Sequence, residues 1–266
     1  MNKIITVAQN FDIYDGDGLN PFARTGATSL DHIYSAGAEG VILGHSEVED
    51  DIETVNKKLL TIAQSDQFKQ GNAPHLTILI GESWEEFEQN SIQEVAEIIR
   101  EKCEILFNGV PHDLLGNLIL GYEPKWGSRG SGRDDMLPPQ PDLISECVSA
   151  MENFIIQEYG DLPNLLFVYG GRSTPERTLE ILTDENIDGL ILGSACNSIE
   201  KTLGIVNSLQ EACGERKKVL ICNFKAYNLE NLYEEYVKEL EKLDKSFVVV
   251  FSPPYTHINM VRNLTS

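Results

Sequence analysis

Short apolar runs recur along the chain, each ending in glycine or polar residues and each followed by a stretch with apolar side chains at helical spacing. Residues 4–10, 40–44, 75–80, 118–120, 165–169, 189–193, 219–225 and 247–251 read as eight strands. Their Val, Ile and Leu are nearly unbroken rather than alternating, as in strands covered on both faces of a parallel sheet. Between and after them the spacing predicts helices over 31–36, 49–64, 141–159, 174–182, 198–213, 229–243 and 257–264. A single longer amphipathic stretch is expected over 84–106, ended by Gly109 and Pro111. Pro175 sits where a first helical residue belongs, since its missing N–H has no partner there anyway.

Eight strand-then-helix units without a break in composition predict an α/β chain folded as a single (β/α)8 barrel over residues 1–266, in preference to an open doubly wound sheet. In such a barrel the polar groups at the strand C-termini converge on one mouth. Here that mouth gathers Gln9, His45, Glu123, Gly170, Gly193, Asn223 and Lys225.

Composition narrows the partners. The chain has 266 residues, 41% of them hydrophobic, and a formal net charge of −21. That charge argues against general attraction to nucleic acid or to an anionic membrane surface, so an anionic substrate needs a local positive exception. Cys103, Cys147, Cys196, Cys213 and Cys222 are odd in number and show no C-x-x-C spacing. Buried reduced thiols are expected, with neither a zinc site nor a disulfide framework. His32, His45, His75, His112 and His257 form no ligand pair at helical or hairpin spacing, so no metal or organic cofactor is expected. The N-terminal residues meet Asp12, Asp15 and Asp17 too soon for a signal peptide or membrane span, which points to a cytoplasmic setting.

The stretch from Gly121 to Trp126 places one carboxylate, Glu123, at a strand end, just ahead of the glycine-rich loop 127–132. Carboxylate, imidazole and ammonium are the side chains needed to move a proton between carbons beside a carbonyl: a base, an electrophile and a fixed cation. Glycines at 127–132, 170–171 and 193 leave backbone N–H groups open to a phosphate. Each piece has a plainer reading. A strand-end lysine is commonly a solvated charge, a glycine pair a turn, a histidine or glutamate part of the scaffold.

Together the pieces resemble a known family. Gly44-His45-Ser46-Glu47, Tyr122-Glu123-Pro124-x-Trp126, Tyr169-Gly170-Gly171 and Asn223-x-Lys225 are similar to the signature motifs of the triosephosphate isomerase family, and Ala8-Gln9-Asn10 to its third-strand end. In that family Asn-x-Lys lies on the first strand. The resemblance therefore implies a circularly permuted TIM barrel that starts at the third unit, with the usual ends joined through 214–218. It implies Glu123 as the base, His45 as electrophile, Lys225 as cationic clamp, Asn223 as orienting group and Glu47 as a supporting or acid–base residue beside His45. It further implies phosphate binding by Gly130, Ser131, Gly170, Gly171, Arg172, Gly193 and Ser194, and a lid over 124–132.

Several positions depart from the family pattern. Val48 replaces an arginine, Arg129 lengthens the lid, Arg172 replaces a serine, Ser194 a glycine, and Leu79 a cysteine. The expected activity is interconversion of dihydroxyacetone phosphate and glyceraldehyde 3-phosphate. A tetrose phosphate isomerase using the same residues stays open, as does a catalytically impaired engineered permutant or phosphate-binding scaffold. The expected partners are a small phosphorylated sugar and, through the loop around Thr25, a second copy of the chain in a homodimer.

Overall fold

A computed structural model describes residues 3–13, 25–128, 132–133 and 135–265. The strands are β1 (Ile4–Thr6), β2 (Gly40–Leu43), β3 (His75–Ile80), β4 (Leu118–Tyr122), β5 (Leu166–Gly170), β6 (Gly189–Leu192), β7 (Lys218–Asn223) and β8 (Phe247–Ser252). All the ladders are parallel, in the order β1-β8-β7-β6-β5-β4-β3-β2. Ala8 closes the ring: its N–H donates to the Gly40 carbonyl at 2.9 Å and its carbonyl accepts from Ile42 N–H at 2.8 Å. The result is the eight-stranded parallel barrel that the repeat of strand and helix predicts.

Around it lie α1 (Leu30–Ser35), α2 (Ile52–Gln64), α3 (Asp66–Lys69), α4 (Trp84–Gln89), α5 (Ile92–Leu106) and α6 (Pro141–Tyr159). They are followed by α7 (Pro175–Ile181), α8 (Ile199–Cys213), α9 (Tyr233–Leu240) and α10 (Ile258–Leu264). Among the described residues no helix is long and apolar enough to cross a membrane.

Three expected helices change shape, each for a local reason. The stretch over 84–106 is two helices, because Ser91 and Glu94 form a capping box that starts α5 anew. The helix expected from residue 49 begins at Ile52: Asp51 caps it by accepting from Thr54 N–H, and Glu49 takes φ +63°. The stretch over 229–243 opens as a 3₁₀ turn, Glu230–Leu232, before α9.

The barrel has two apolar layers. Val7, Ile42, Leu79, Ile119, Leu166, Val168, Ile191, Val219, Ile221 and Val250 fill its interior. Neighbours such as Leu190, Leu192, Leu220 and Cys222 point outward into the layer under the helices. The strand period of two thus persists inside runs that look uniformly apolar. All five cysteines are buried free thiols.

At the end of the barrel opposite the mouth, just before β6, the Asp188 carboxylate accepts from Phe167 N–H at 2.7 Å. Burial pushes its pKa from 3.8 up to about 6, against the opposing pull of that N–H, Arg216 and Lys217. A pKa raised on folding gives stability that is full below the unfolded value and lost as pH climbs through the folded one. Asp188→Asn keeps an acceptor for Phe167 and removes the titration. Its melting temperature is expected to exceed that of the parent above pH ~6 by the equivalent of at most about 3 kcal/mol, with the gap closing toward pH ~4. Thermal melts across that range check it, and a gap independent of pH would refute it.

Candidate functional site

Glu123 follows β4 directly, with its N–H bonded to the Ile80 carbonyl at 2.8 Å, and its carboxylate lies buried at the barrel mouth. Gly170 at the end of β5 makes room for it: a Cβ there would stand 3.0 Å from Cβ and Cγ of Glu123. Oε2 accepts from Ser46 N–H at 3.1 Å, and Oε1 stands 3.4 Å from Nε2 of His45. Burial pushes the Glu123 pKa up; His45, the Ser46 N–H and Lys225 pull it down, and Glu47 adds to the rise. A carboxylate so held is a stronger base than a solvated one.

His45 follows the positive-φ residue Gly44 at the end of β2 and is itself buried. Glu47 N–H donates to its Nδ1 at 3.1 Å. A ring nitrogen that accepts carries no hydrogen, so the ring's proton sits on Nε2, the atom facing Glu123.

Lys225 lies two residues past β7 in a left-handed conformation, φ +49°. Three contacts hold that turn. Its N–H donates to Asn223 Oδ1 at 3.0 Å, and Gln9 Nε2 donates to its carbonyl at 2.8 Å and to the Ser252 carbonyl at 3.0 Å. Its ammonium pairs with Glu47, and Gly193 lets its stem pass, since a Cβ there would lie 2.7 Å from Lys225 Cε.

Glu47, His45, Glu123, Asn223 and Lys225 line one cavity of about 110 Å³ together with Gly171, Arg172, Gly193 and Ser194. Gly170 lies behind the carboxylate rather than on the cavity wall. Gly130, Ser131 and the extra Arg129 lie outside the described residues, as does most of the loop leading to Thr25. Thr25 itself is exposed, and the base of its loop is closed by Asp12, which exchanges 2.7 Å bonds with Thr28.

Some contributors carry little signal in the sequence. Glu82, after β3, accepts on one oxygen from Tyr122 Oη at 3.0 Å and Trp126 Nε1 at 2.9 Å, so it fixes both flanks of Glu123. Burial raises its pKa, and those two donors oppose the rise. Lys58 reads as a surface charge on α2, yet it is 2% exposed and donates to Asp50 at 2.5 Å and Asn10 at 2.9 Å. Ile191, Tyr227 and Ser128 complete the cavity wall. Val48 is exposed, and its neighbour Glu49 pairs with Lys125 at 2.7 Å.

A parallel eight-stranded barrel with carboxylate, ring N–H and ammonium gathered at the C-terminal mouth has the (β/α)8 architecture and, at that mouth, side-chain types that acid–base chemistry uses. Comparison with known proteins narrows the class. The family model described as triosephosphate isomerase matches residues 1–209. A triosephosphate isomerase of Alkaliphilus oremlandii (strain OhILAs) is 33% identical over 206 residues, covering 75% of this chain and 75% of that protein. Those of Finegoldia magna (strain ATCC 29328 / DSM 20472 / WAL 2508) and Mycoplasmoides gallisepticum (strain R(low / passage 15 / clone 2)) are 30% and 27% identical over 213 and 211 residues. They cover 77% and 78% of this chain and 77% of each relative. The chain belongs to the triosephosphate isomerase family and is an isomerase. Asn223 and Lys225 lie beyond the matched residues.

Proposed function

We propose that this isomerase interconverts dihydroxyacetone phosphate and glyceraldehyde 3-phosphate. The observation that carries the reading is the buried Glu123 carboxylate, raised in pKa, 3.4 Å from the protonated nitrogen of His45 in a cavity shared with Lys225. Glu123 takes the proton from C1, and the C–H electron pair becomes the C1=C2 bond of an enediolate. His45 Nε2–H polarises the carbonyl oxygen and moves its proton between the two oxygens. Glu123 then returns a proton to C2. Lys225 offsets the anionic charge, Asn223 fixes the Lys225 turn, and Glu47 places both the ammonium and, through its N–H, the ring. Gly171, Arg172, Gly193 and Ser194 receive the phosphate; the guanidinium in that corner is the local exception in an acidic protein.

The chain order supports a circular permutation. The family model ends before Asn223-x-Lys225, yet β7 lies between β6 and β8 in the ring. Segment 214–218 is built into the fold as a link: Arg216 donates to the Glu185 carbonyl at 2.8 Å, and Lys218 to the Arg216 carbonyl at 2.9 Å. A chain reopened there, with residues 266 and 1 joined, should keep its fold and turnover; loss of folding would count against the reading. A homodimer through the loop around Thr25 is part of the same proposal, and light scattering that returns a monomer would remove it.

One observation favours a second reading, a four-carbon ketose or aldose phosphate. Gly171, Gly193 and Ser194 also line a cavity of about 500 Å³ between α7 and α8, behind the phosphate corner. Coupled assays with both substrate lengths decide. Triose turnover is expected to lead, tetrose-only turnover would transfer the assignment, and no turnover by a folded protein would sink both.

A further inference from the structure

Two turns at the barrel mouth share one support. The first follows β7, where Phe224 lies between Asn223 and Lys225, fully buried, with its N–H donating to the Ser252 carbonyl at 3.0 Å. Its ring meets those of Tyr233, Phe251 and Tyr236 edge to face, with centroids 5.2, 5.2 and 5.3 Å away. The second is the 3₁₀ turn Ser194–Asn197, which opens at Gly193 after β6 and carries Ser194 on the cavity wall. Two hydroxyls hold its carbonyls. Tyr236 Oη donates to the Cys196 carbonyl at 2.8 Å, and Thr202 Oγ1 lies 3.4 Å from the Ala195 carbonyl. The hydroxyls stand 3.1 Å apart, and because the single Tyr236 proton goes to Cys196, Tyr236 is the acceptor toward Thr202. Tyr236, Thr202 and Cys196 are all fully buried. Burial pushes the Tyr236 pKa up, so the donor keeps its proton. None of the three lies in a family motif that the chain carries.

We propose that Tyr236 is a positioning residue that holds the anion corner at Gly193 and Ser194 through its hydroxyl and the Lys225 turn through its ring, and so fixes the spacing between them. Lys225 sits at φ +49°, a conformation that persists in a non-glycine residue only where the surroundings over-determine it. Asn223 and Gln9 hold the backbone of that turn by hydrogen bonds, and Phe224, wedged among three rings, holds it by packing. Of those rings, Tyr236 also reaches the turn after β6, whereas the Tyr233 hydroxyl meets His257 Nδ1 at 3.1 Å. Without the Tyr236 hydroxyl the buried Cys196 carbonyl loses its donor, and the turn must shift to find another. Without the ring, Phe224 relaxes and carries Lys225 with it. Tyr236 does not line the cavity: it acts through Cys196 and Phe224.

This inference rests on the isomerase reading, and its test keeps the two apart. Calorimetry with inorganic phosphate reads the corner, and steady-state kinetics read the Lys225 turn. Tyr236→Phe keeps the ring. Its phosphate affinity should fall about tenfold and its KM rise about as much, with kcat within about twofold, because the corner grips a part of the substrate that does not react. Thr202→Val, which drops the second hydroxyl, should weaken phosphate in the same direction. Tyr236→Leu loses ring and hydroxyl together and should lower kcat about tenfold as well, since a small displacement of the ammonium acts on the chemical step. If that variant does not fold, Phe224→Leu gives the same reading, with phosphate affinity near that of the parent. A merely structural role would lower the active fraction instead, reducing apparent kcat while KM and phosphate affinity per folded site stay parental. That pattern overturns the proposal, as does parental phosphate affinity in Tyr236→Phe, or parental kcat in the leucine variants. A parent that turns over no sugar phosphate, yet binds inorganic phosphate and loses it in Tyr236→Phe, refutes the isomerase reading alone. A parent that binds no phosphate removes the corner and this proposal with it.

Discussion

Aspartate in place of Glu123 is expected to lower kcat by about 10²- to 10³-fold while the affinity for inorganic phosphate stays within about twofold. Removing one methylene withdraws the carboxylate from Ser46 N–H, now at 3.1 Å, and from His45 Nε2, now at 3.4 Å. The proposed anion corner of Gly171, Arg172, Gly193 and Ser194 follows other strands, β5 and β6, and is not expected to move with it. Steady-state kinetics alongside phosphate inhibition check both halves, and parental turnover would remove Glu123 as the base. The parent carries a pH signature as well. In the proposed role the Glu123 carboxylate works ionised, and burial raises its pKa above 4.5. The acid limb of kcat/KM should therefore lie above the usual glutamate range and fall as pH drops through the raised value.

Loss of the Lys225 ammonium should damage binding and rate together, lowering kcat/KM by about 10³-fold or more. Lys225→Ala leaves the Glu47 carboxylate facing an anionic substrate in a chain of net charge −21, so repulsion replaces a paired charge. Lys225→Met keeps most of the stem that passes Gly193 and separates loss of packing from loss of charge. If both variants raise KM and lower kcat alike, charge carries the effect. If the methionine variant retains parental kinetics, the ammonium has no part in the reaction.

Glu123 and Lys225 also mark how far the sequence reaches. Both are strand-end residues, and the periodicity of apolar runs is enough to put strand ends at one mouth. Residue types then name the chemistry. Glu82 shows the limit: it follows the apolar run 75–80 closely, but its grip on Tyr122 and Trp126 joins two segments about 40 residues apart. Lys58 shows another, because a lysine between apolar helix positions reads as solvated until Asp50 and Asn10 are brought to it. Arg172 is legible as a cation beside the glycine pair 170–171, whereas its bond to the Gly127 carbonyl is not.

The sequence by itself determined eight strand-and-helix units, the parallel barrel they close into, and the carboxylate, imidazole and ammonium at their ends. These follow from local pattern, since backbone period and residue type act over a few neighbours. Only the tertiary structure decided which residue of each apolar run faces the barrel interior, that the His45 proton lies toward Glu123, and that Gln9 and Asn223 hold Lys225 in a left-handed turn. Those outcomes depend on contacts between segments far apart in the chain. Burial and hydrogen-bond geometry, rather than residue identity, set the charge state and aim of each group.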